Sequence, residues 1–261
     1  MTYPGMDFTG KVAIVTGGAT GIGAATALLL GRLGADLVIA SRNAERLEAK
    51  AEEIRNQTGR ECLAIPADVR DEQQVASMVA RAVEHFGKID ILINNAGGTK
   101  MSPLEDVTSD MWNKVFALNV DSAYYCTREA GKHFREQGSG VIVNVSSMAG
   151  VNGTRCGAPY SSSKAALQMF TRVAAAEWGP HGIRVNCVAP GMILSDLATA
   201  HLKKSNIDVD SASRVFPLQR AGTPEDVANA IVYFASDAAS YITGETLAVA
   251  GGPVLGGPGE I

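Results

Sequence analysis

The chain has 261 residues, of which 46% are hydrophobic and 19% charged, with a formal net charge of −4. That length suits one large α/β domain whose core needs no disulfide or metal staple. The composition excludes a disordered chain. The acidic balance, with only 6% aromatic residues, speaks against a nucleic-acid partner, which calls for a basic face.

Strand alternates with helix along the chain, and no linker, charge block or fixed-period repeat divides it before its end. Val12-Ala13-Ile14-Val15 is a short apolar run ended by glycines. Residues 22–33, rich in Ala and Leu, read as a helix, and Leu37 to Ala40 as a second strand. Residues 43–57 form an amphipathic helix, and Leu63-Ala64-Ile65 a third strand. Val75, Met78, Val79, Ala82 and Val83 recur at helical spacing within 72–86. Ile89 to Ile93 and Val141 to Val145 are further strands, with a long helix over about 109–136 between them. A helix at 160–178 precedes the strand Arg184 to Val188. Thr223 as N-cap and Pro224 at the first helical position open the last long helix, and Thr246 to Val249 closes the series as a strand. Apolar strands without polar alternation, separated by helices, predict a parallel sheet buried on both faces. The expected fold is a single-domain, Rossmann-like, doubly wound α/β sheet of about seven strands with helices on both faces.

Several functions are excluded at this level. Cys62, Cys126, Cys156 and Cys187 form no CxxC pair and read as free thiols of a reducing, cytoplasmic compartment. His85, His133, His181 and His201 build neither HExxH nor a Cys/His cluster, so no metal is expected. The opening MTYPGMDFTGK has no secretory pattern, and no apolar run reaches membrane-spanning length.

Ligands of such sheets bind beyond the C-terminal strand ends. There, Thr16-Gly17-Gly18-Ala19-Thr20-Gly21-Ile22-Gly23 joins the first strand to the first helix. Glycines allow positive φ and close approach to a pyrophosphate, and free N–H groups at the helix start, around Thr20, Gly21 and Ile22, face phosphates. The spacing Gly-x3-Gly-x-Gly arises by accident about 0.3 times in such a chain, so its position at a strand–helix junction carries the argument. The second strand ends in Ser41-Arg42, with no acidic residue to bind an adenosine ribose. A guanidinium there suits a 2′-phosphate, so NADP(H) is expected over NAD(H). Asp68-Val69 follows the third strand, where Asp68 has two readings, acceptor from an adenine amino group or cap of the next helix. Asn94-Asn95-Ala96-Gly97 follows the fourth, where the amides line an adenine or tie strands together. A mainly structural role is expected for Asn94, with Ala96 and Gly97 close to the cofactor.

Tyr160-Ser161-Ser162-Ser163-Lys164 is the chemical candidate. At i and i+4 the two side chains share a helix face. An ammonium beside a phenol favours the phenolate and predicts a lowered tyrosine pKa, hence an acid–base catalyst. Ser147 follows the strand Val141 to Val145, where its hydroxyl can bind the oxygen that Tyr160 protonates.

Together these pieces resemble the short-chain dehydrogenase/reductase family: TGGATGIG (16–23), DV (68–69), NNAG (94–97), LNV (118–120), NVSS (144–147), YSSSK (160–164), RVNCVAPG (184–191) and ITGETL (242–247). The resemblance spans nearly the whole chain. It implies Tyr160 as acid–base, Ser147 as anchor of the substrate oxygen, and Lys164 as ligand of the nicotinamide ribose. It also implies Asn119 as holder of a relay water. After Pro190-Gly191 it implies a backbone contact at Ile193 to the nicotinamide carboxamide, and Ser195 stands where a threonine is common. Ala250 replaces a common aspartate. The Gly/Pro-rich tail 251–261 reads either as frayed or as laid across a neighbouring subunit. The segment 192–216 sits where the family closes over substrate. Met101, Met148 and Met192 line an apolar pocket or fill the core.

The implied activity is hydride transfer between a nicotinamide and a small-molecule ketone or aldehyde, or the reverse oxidation of a secondary alcohol. A 3-oxoacyl thioester fits by resemblance; sugars, cyclic alcohols and sterols, with NAD, are the alternative. Val38 to Asn43 and Ala174 to Gly179 are similar to dienoyl-CoA reductases, which lack a tyrosine at the place of Tyr160. A non-catalytic NADP(H) sensor is the rival from another class, and a cofactor-recycling epimerase has no room for its larger substrate domain. Family members commonly form homotetramers through late helices and last strands.

Overall fold

A computed structural model describes residues 5–195 and 213–252. Seven parallel strands make one sheet: β1 (Val12–Thr16), β2 (Asp36–Ser41), β3 (Cys62–Pro66), β4 (Ile91–Asn94), β5 (Gly140–Val145), β6 (Ile183–Pro190) and β7 (Thr246–Val249). Their order is β3-β2-β1-β4-β5-β6-β7, so the winding reverses between β1 and β4. That reversal opens a crevice above the strand ends, the place where doubly wound sheets bind ligands.

Alternate strand residues serve two cores. Ala13, Val15, Leu37, Ile39, Ile93 and Val143 pack under α1 (Gly21–Arg32), α2 (Ala44–Thr58) and the last described helix. Val12, Ile14, Val38, Leu92 and Ile142 face the other way, toward α3 (Glu72–Phe86), α5 (Ser122–Gln137) and α7 (Ala158–Trp178). Neighbouring residues of one strand thus enter opposite cores, as a period of two requires. That is why these strands read as unbroken apolar runs.

The helix boundaries follow local chemistry. Asn43 and Asp71 cap α2 and α3 by accepting from first-turn N–H groups. Gly59, Gly87 and Gly138 close α2, α3 and α5 in the left-handed region. The last described helix, α8 (Pro224–Ala235), carries a reciprocal capping box between Thr223 and Asp226, with Pro224 at its start.

Two expectations are corrected. The strand expected from Ile89 begins at Ile91. The long helix expected over 109–136 is α4 (Ser109–Phe116) and α5 joined by a π-helical turn at Ala117–Asp121. Between the halves of the sheet runs a buried polar ladder. Asn94 donates to Thr127 Oγ1 at 3.0 Å and to Asn144 Oδ1 at 2.8 Å, and Asn144 donates to Thr171 Oγ1 at 2.8 Å. It ties α5 and α7 to β4 and β5, the structural role expected of Asn94. Among the described residues no helix is long and apolar enough to cross a membrane. Residues 196–212 of the expected closing segment, and 253–261 of the tail, lie outside the described residues.

Candidate active site

The glycine-rich turn is shaped by contacts rather than by freedom alone. Gly17 has φ +67°, and Gly21 has φ +55°. A Cβ on Gly23 would lie 2.3 Å from the Gly17 carbonyl oxygen and 2.5 Å from Asn95 Nδ2, so the helix start closes directly onto the turn. Asn95 holds that turn by donating to Thr16 O at 2.9 Å and Gly17 O at 3.3 Å. Its amide is therefore committed to protein, which favours the tie over the adenine contact. Thr16 Oγ1 in turn accepts from the Asn95 and Ala96 N–H groups, both at 3.0 Å. At the start of α1, Thr20 makes no side-chain cap bond, and the first turn holds no acidic residue. The first N–H groups are thus left for an anion. Across from them, a Cβ on Gly21 would meet Ser195 Cβ at 3.4 Å, so the segment after β6 reaches over the turn. Ile193 bridges to Gly222 there, and Gly191 packs against Ala250. Pro190 ends β6.

At the ends of β2 and β3, Ser41 pairs with Pro66, and its hydroxyl oxygen is buried without a partner among the described residues. Arg42 is exposed. Asp68 is not the cap of the next helix. Its carboxylate grips the Arg70 guanidinium, through Nε at 2.9 Å and through Nη2, and Asp71 is the cap of α3. The Arg70 hydrogen bonds outweigh a modest burial and hold the Asp68 carboxyl below its ordinary value, with Arg42 adding to the effect. Val69 beside it is buried.

The chemical end is assembled from β4, β5, the π turn and α7. Tyr160 and Lys164 share one face of α7 as expected, with the ammonium 5.8 Å from the centre of the phenol ring. The electrostatic expectation is not met. Burial is the largest influence on Tyr160 and raises its pKa, and the Ser147 hydroxyl opposes it. Lys164 is fully enclosed and spends a proton on the Val145 carbonyl at 2.8 Å, and burial pulls its own pKa down to about 8. Ser147 Oγ accepts from the Ala149 N–H at 3.1 Å, which leaves its own O–H to donate elsewhere.

Asn119, on the π turn, donates to Gly98 O at 2.8 Å and Val115 O at 3.0 Å and accepts from the Gly98 N–H at 3.1 Å. Gly97 stands between these groups. A Cβ there would fall 2.8 Å from Asn119 Oδ1 and 3.0 Å from Lys164 Nζ, so only a bare glycine lets the backbone approach both groups this closely. The bare Gly97 backbone, the open helix start and the orphaned Ser41 hydroxyl suit one extended ligand with phosphate and sugar groups, and a nicotinamide dinucleotide is such a ligand. Two residues escaped the sequence reading. Gln168, one turn beyond Lys164, donates to Ser146 Oγ at 3.0 Å and to Ser147 O at 3.3 Å. Gly150 lets the short helix α6 (Ala149–Asn152) lie flush on α7. The spacing 160, 164, 168 was the available signal for the first.

Comparison with known proteins identifies the family. A family model described as enoyl-(acyl carrier protein) reductase matches residues 17–253. The peroxisomal 2,4-dienoyl-CoA reductase of Danio rerio is 39% identical over 246 residues, covering 94% of this chain and 82% of the relative. Versicolorin reductase 1 of Dothistroma septosporum is 38% identical over 261 residues, covering 97% and 99%. A 7α-hydroxysteroid dehydrogenase solved with NADH and 7-oxo glycochenodeoxycholic acid superposes with a TM-score of 0.90 at 34% identity, covering 97% of this chain and 98% of that one. The chain belongs to the short-chain dehydrogenase/reductase family. It is an oxidoreductase of the carbonyl/alcohol kind, in a family that binds NAD(P).

Proposed function

We propose that the chain is an NADP(H)-dependent carbonyl reductase, with Tyr160 as acid–base, Ser147 as anchor of the reacting oxygen, and Lys164 and Asn119 in support. The observation that carries this reading is the convergence at the strand ends of Lys164, 5.8 Å from the Tyr160 ring centre, with Asn119 against the bare Gly97 backbone and Ser147 at the end of β5. A bound nicotinamide would supply the hydride, or take it up in the reverse direction. The chain's own residues manage the oxygen and its proton. Ser147 donates a hydrogen bond to the substrate oxygen, and Tyr160 gives it a proton as charge develops there. Lys164 holds the ribose over Gly97, and Asn119 retains one Oδ1 lone pair for a relay water. Gly17, Thr20, Gly21, Ile22 and Gly23 hold the pyrophosphate. Val69, Ala96, Pro190, Gly191, Ile193 and Ser195 line the remaining length.

Exposed Arg42 and the unpartnered Ser41 hydroxyl support a 2′-phosphate and so NADP(H). Met101 and, on α6, Val151, 45% and 55% exposed, give the segments before Tyr160 an apolar character that suits ring ketones as well as 3-oxoacyl thioesters. Leu247 on β7 and Tyr241 before it lie exposed and support a homotetramer paired through α8 and β7. Buried, free Cys62, Cys126 and Cys187 suit a reducing, cytoplasmic setting.

The test is NADPH and NADH oxidation over a panel of ring ketones, aldehydes and 3-oxoacyl thioesters. Tyr160→Phe is expected to bind NADPH and lose over ~100-fold in turnover; near-normal turnover removes the mechanism. Arg42→Ala is expected to lower the NADPH/NADH ratio of kcat/KM; an unchanged ratio removes the cofactor assignment.

A further inference from the structure

We infer that Gln168 is the positioning residue that sets Ser147 against Tyr160. The inference rests on the reading of Ser147 and Tyr160 given above. Tyr160, Lys164 and Gln168 stand four residues apart, so they line one face of α7. The Gln168 amide directs both its protons at the end of β5. One goes to Ser146 Oγ at 3.0 Å and the other to the Ser147 carbonyl at 3.3 Å. Ser146 Oγ passes its own proton to the Lys164 carbonyl at 2.9 Å, which closes a loop back onto α7.

The neighbouring ties have a different geometry. Ser146 N–H donates to Val188 O at 2.8 Å and Met148 N–H to Pro190 O at 2.9 Å, which fastens this segment to β6. Gln168 instead grips the Ser147 peptide from the helix that carries the tyrosine. The distance between the serine hydroxyl and the phenol therefore depends on it. The packing around the amide is close. A Cβ on Gly150 would lie 2.7 Å from the Lys164 carbonyl carbon and 2.9 Å from Gln168 Nε2. The bare glycine admits the amide at that point.

A glutamine that only filled space would affect melting alone. One that places Ser147 affects the chemical step, because small misplacements of reacting groups are expensive. It also affects the titration of the phenol, since Ser147 is the neighbour that lowers it.

The experiment uses Gln168→Met, of similar length without a donor, and Gln168→Glu, of the same shape with the donor replaced by an acceptor. Turnover is followed with NADPH and the best-reduced ketone of the panel above. The phenol of residue 160 is titrated by ¹³Cζ-tyrosine NMR in the NADPH complex, assigned with Tyr160→Phe. The expected result is a fall in kcat of roughly tenfold or more with KM for NADPH unchanged, and a titration of Tyr160 moved to higher pH. Wild-type turnover with an unmoved titration overturns the inference. So does a parallel loss of kcat, NADPH affinity and thermal midpoint with the titration unmoved, which marks a packing residue. An inactive Tyr160→Phe beside fully active Gln168 variants overturns this inference alone, whereas full turnover in Tyr160→Phe overturns the underlying mechanism too.

Discussion

Replacing Lys164 by methionine should change how the stability of the ligand-free protein depends on pH. The ammonium is enclosed, and burial lowers its pKa from 10.5 to about 8. In the unfolded chain the group returns to its ordinary value. Below pH 8 it is charged in both states, and the folded state carries the desolvation. Between pH 8 and 10.5 the unfolded state binds the extra proton, so stability rises with pH. At about 1.4 kcal/mol for each pH unit, the gain over that window is about 3 kcal/mol. Urea unfolding of wild type and Lys164→Met across this range gives the test. The buried thiols act in the opposite sense: Cys62 and Cys126 are raised to about 12 and Cys187 to about 11, so they lose stability as pH climbs past 9. Cys62 and Cys126 are common to both proteins and cancel in the difference, whereas Cys187, which the Lys164 ammonium lowers, titrates higher still in the variant. Wild type minus variant should rise by about 3 kcal/mol between pH 8 and 10.5. A flat difference would refute the account of a desolvated ammonium held on the Val145 carbonyl.

The other predictions concern how the site is framed. Gly23→Ala drives a methyl to 2.3 Å from the Gly17 carbonyl oxygen, so calorimetry should show NADPH binding lost and urea unfolding a destabilisation of about 1–3 kcal/mol; unaltered binding would mean that the turn does not close on the helix. Thr223→Ala removes half of the capping box of α8 and should lower stability by about 1 kcal/mol in the same assay, with cofactor affinity unchanged.

The strands and most helices were legible because burial on both faces forces apolar runs, and because caps such as Asp71 and Thr223 are short-range signals. The alignment of Tyr160 with Lys164 was legible for the same reason: four residues on a helix fix it. The charge state of the pair was not, since it is governed by burial, which the packing of distant segments around α7 decides. The break at Ala117–Asp121 left no trace, because Ala-Leu-Asn-Val-Asp is compatible with an ordinary helix and the wider turn is set by packing. The cap of α3 is Asp71 and not Asp68, whose carboxylate pairs with Arg70 two residues on. Choosing among such local partners needs three-dimensional positions.

The amides facing each other across β4 and β5 bear on strand alignment. A slip of one residue between buried strands would throw side chains into the wrong core, but a slip of two would not, since Ile91, Ile93, Val141, Val143 and Val145 are nearly interchangeable by shape and chemistry. In the native alignment Asn94 stands opposite Asn144. Shifted by two, Asn94 would face Ile142 with its amide stranded in hydrocarbon, a penalty on the order of a few kcal/mol. These two polar residues thus act as a key that admits one alignment among several that hydrophobicity alone would accept, and with it they fix the height at which Ser147 emerges beside Tyr160.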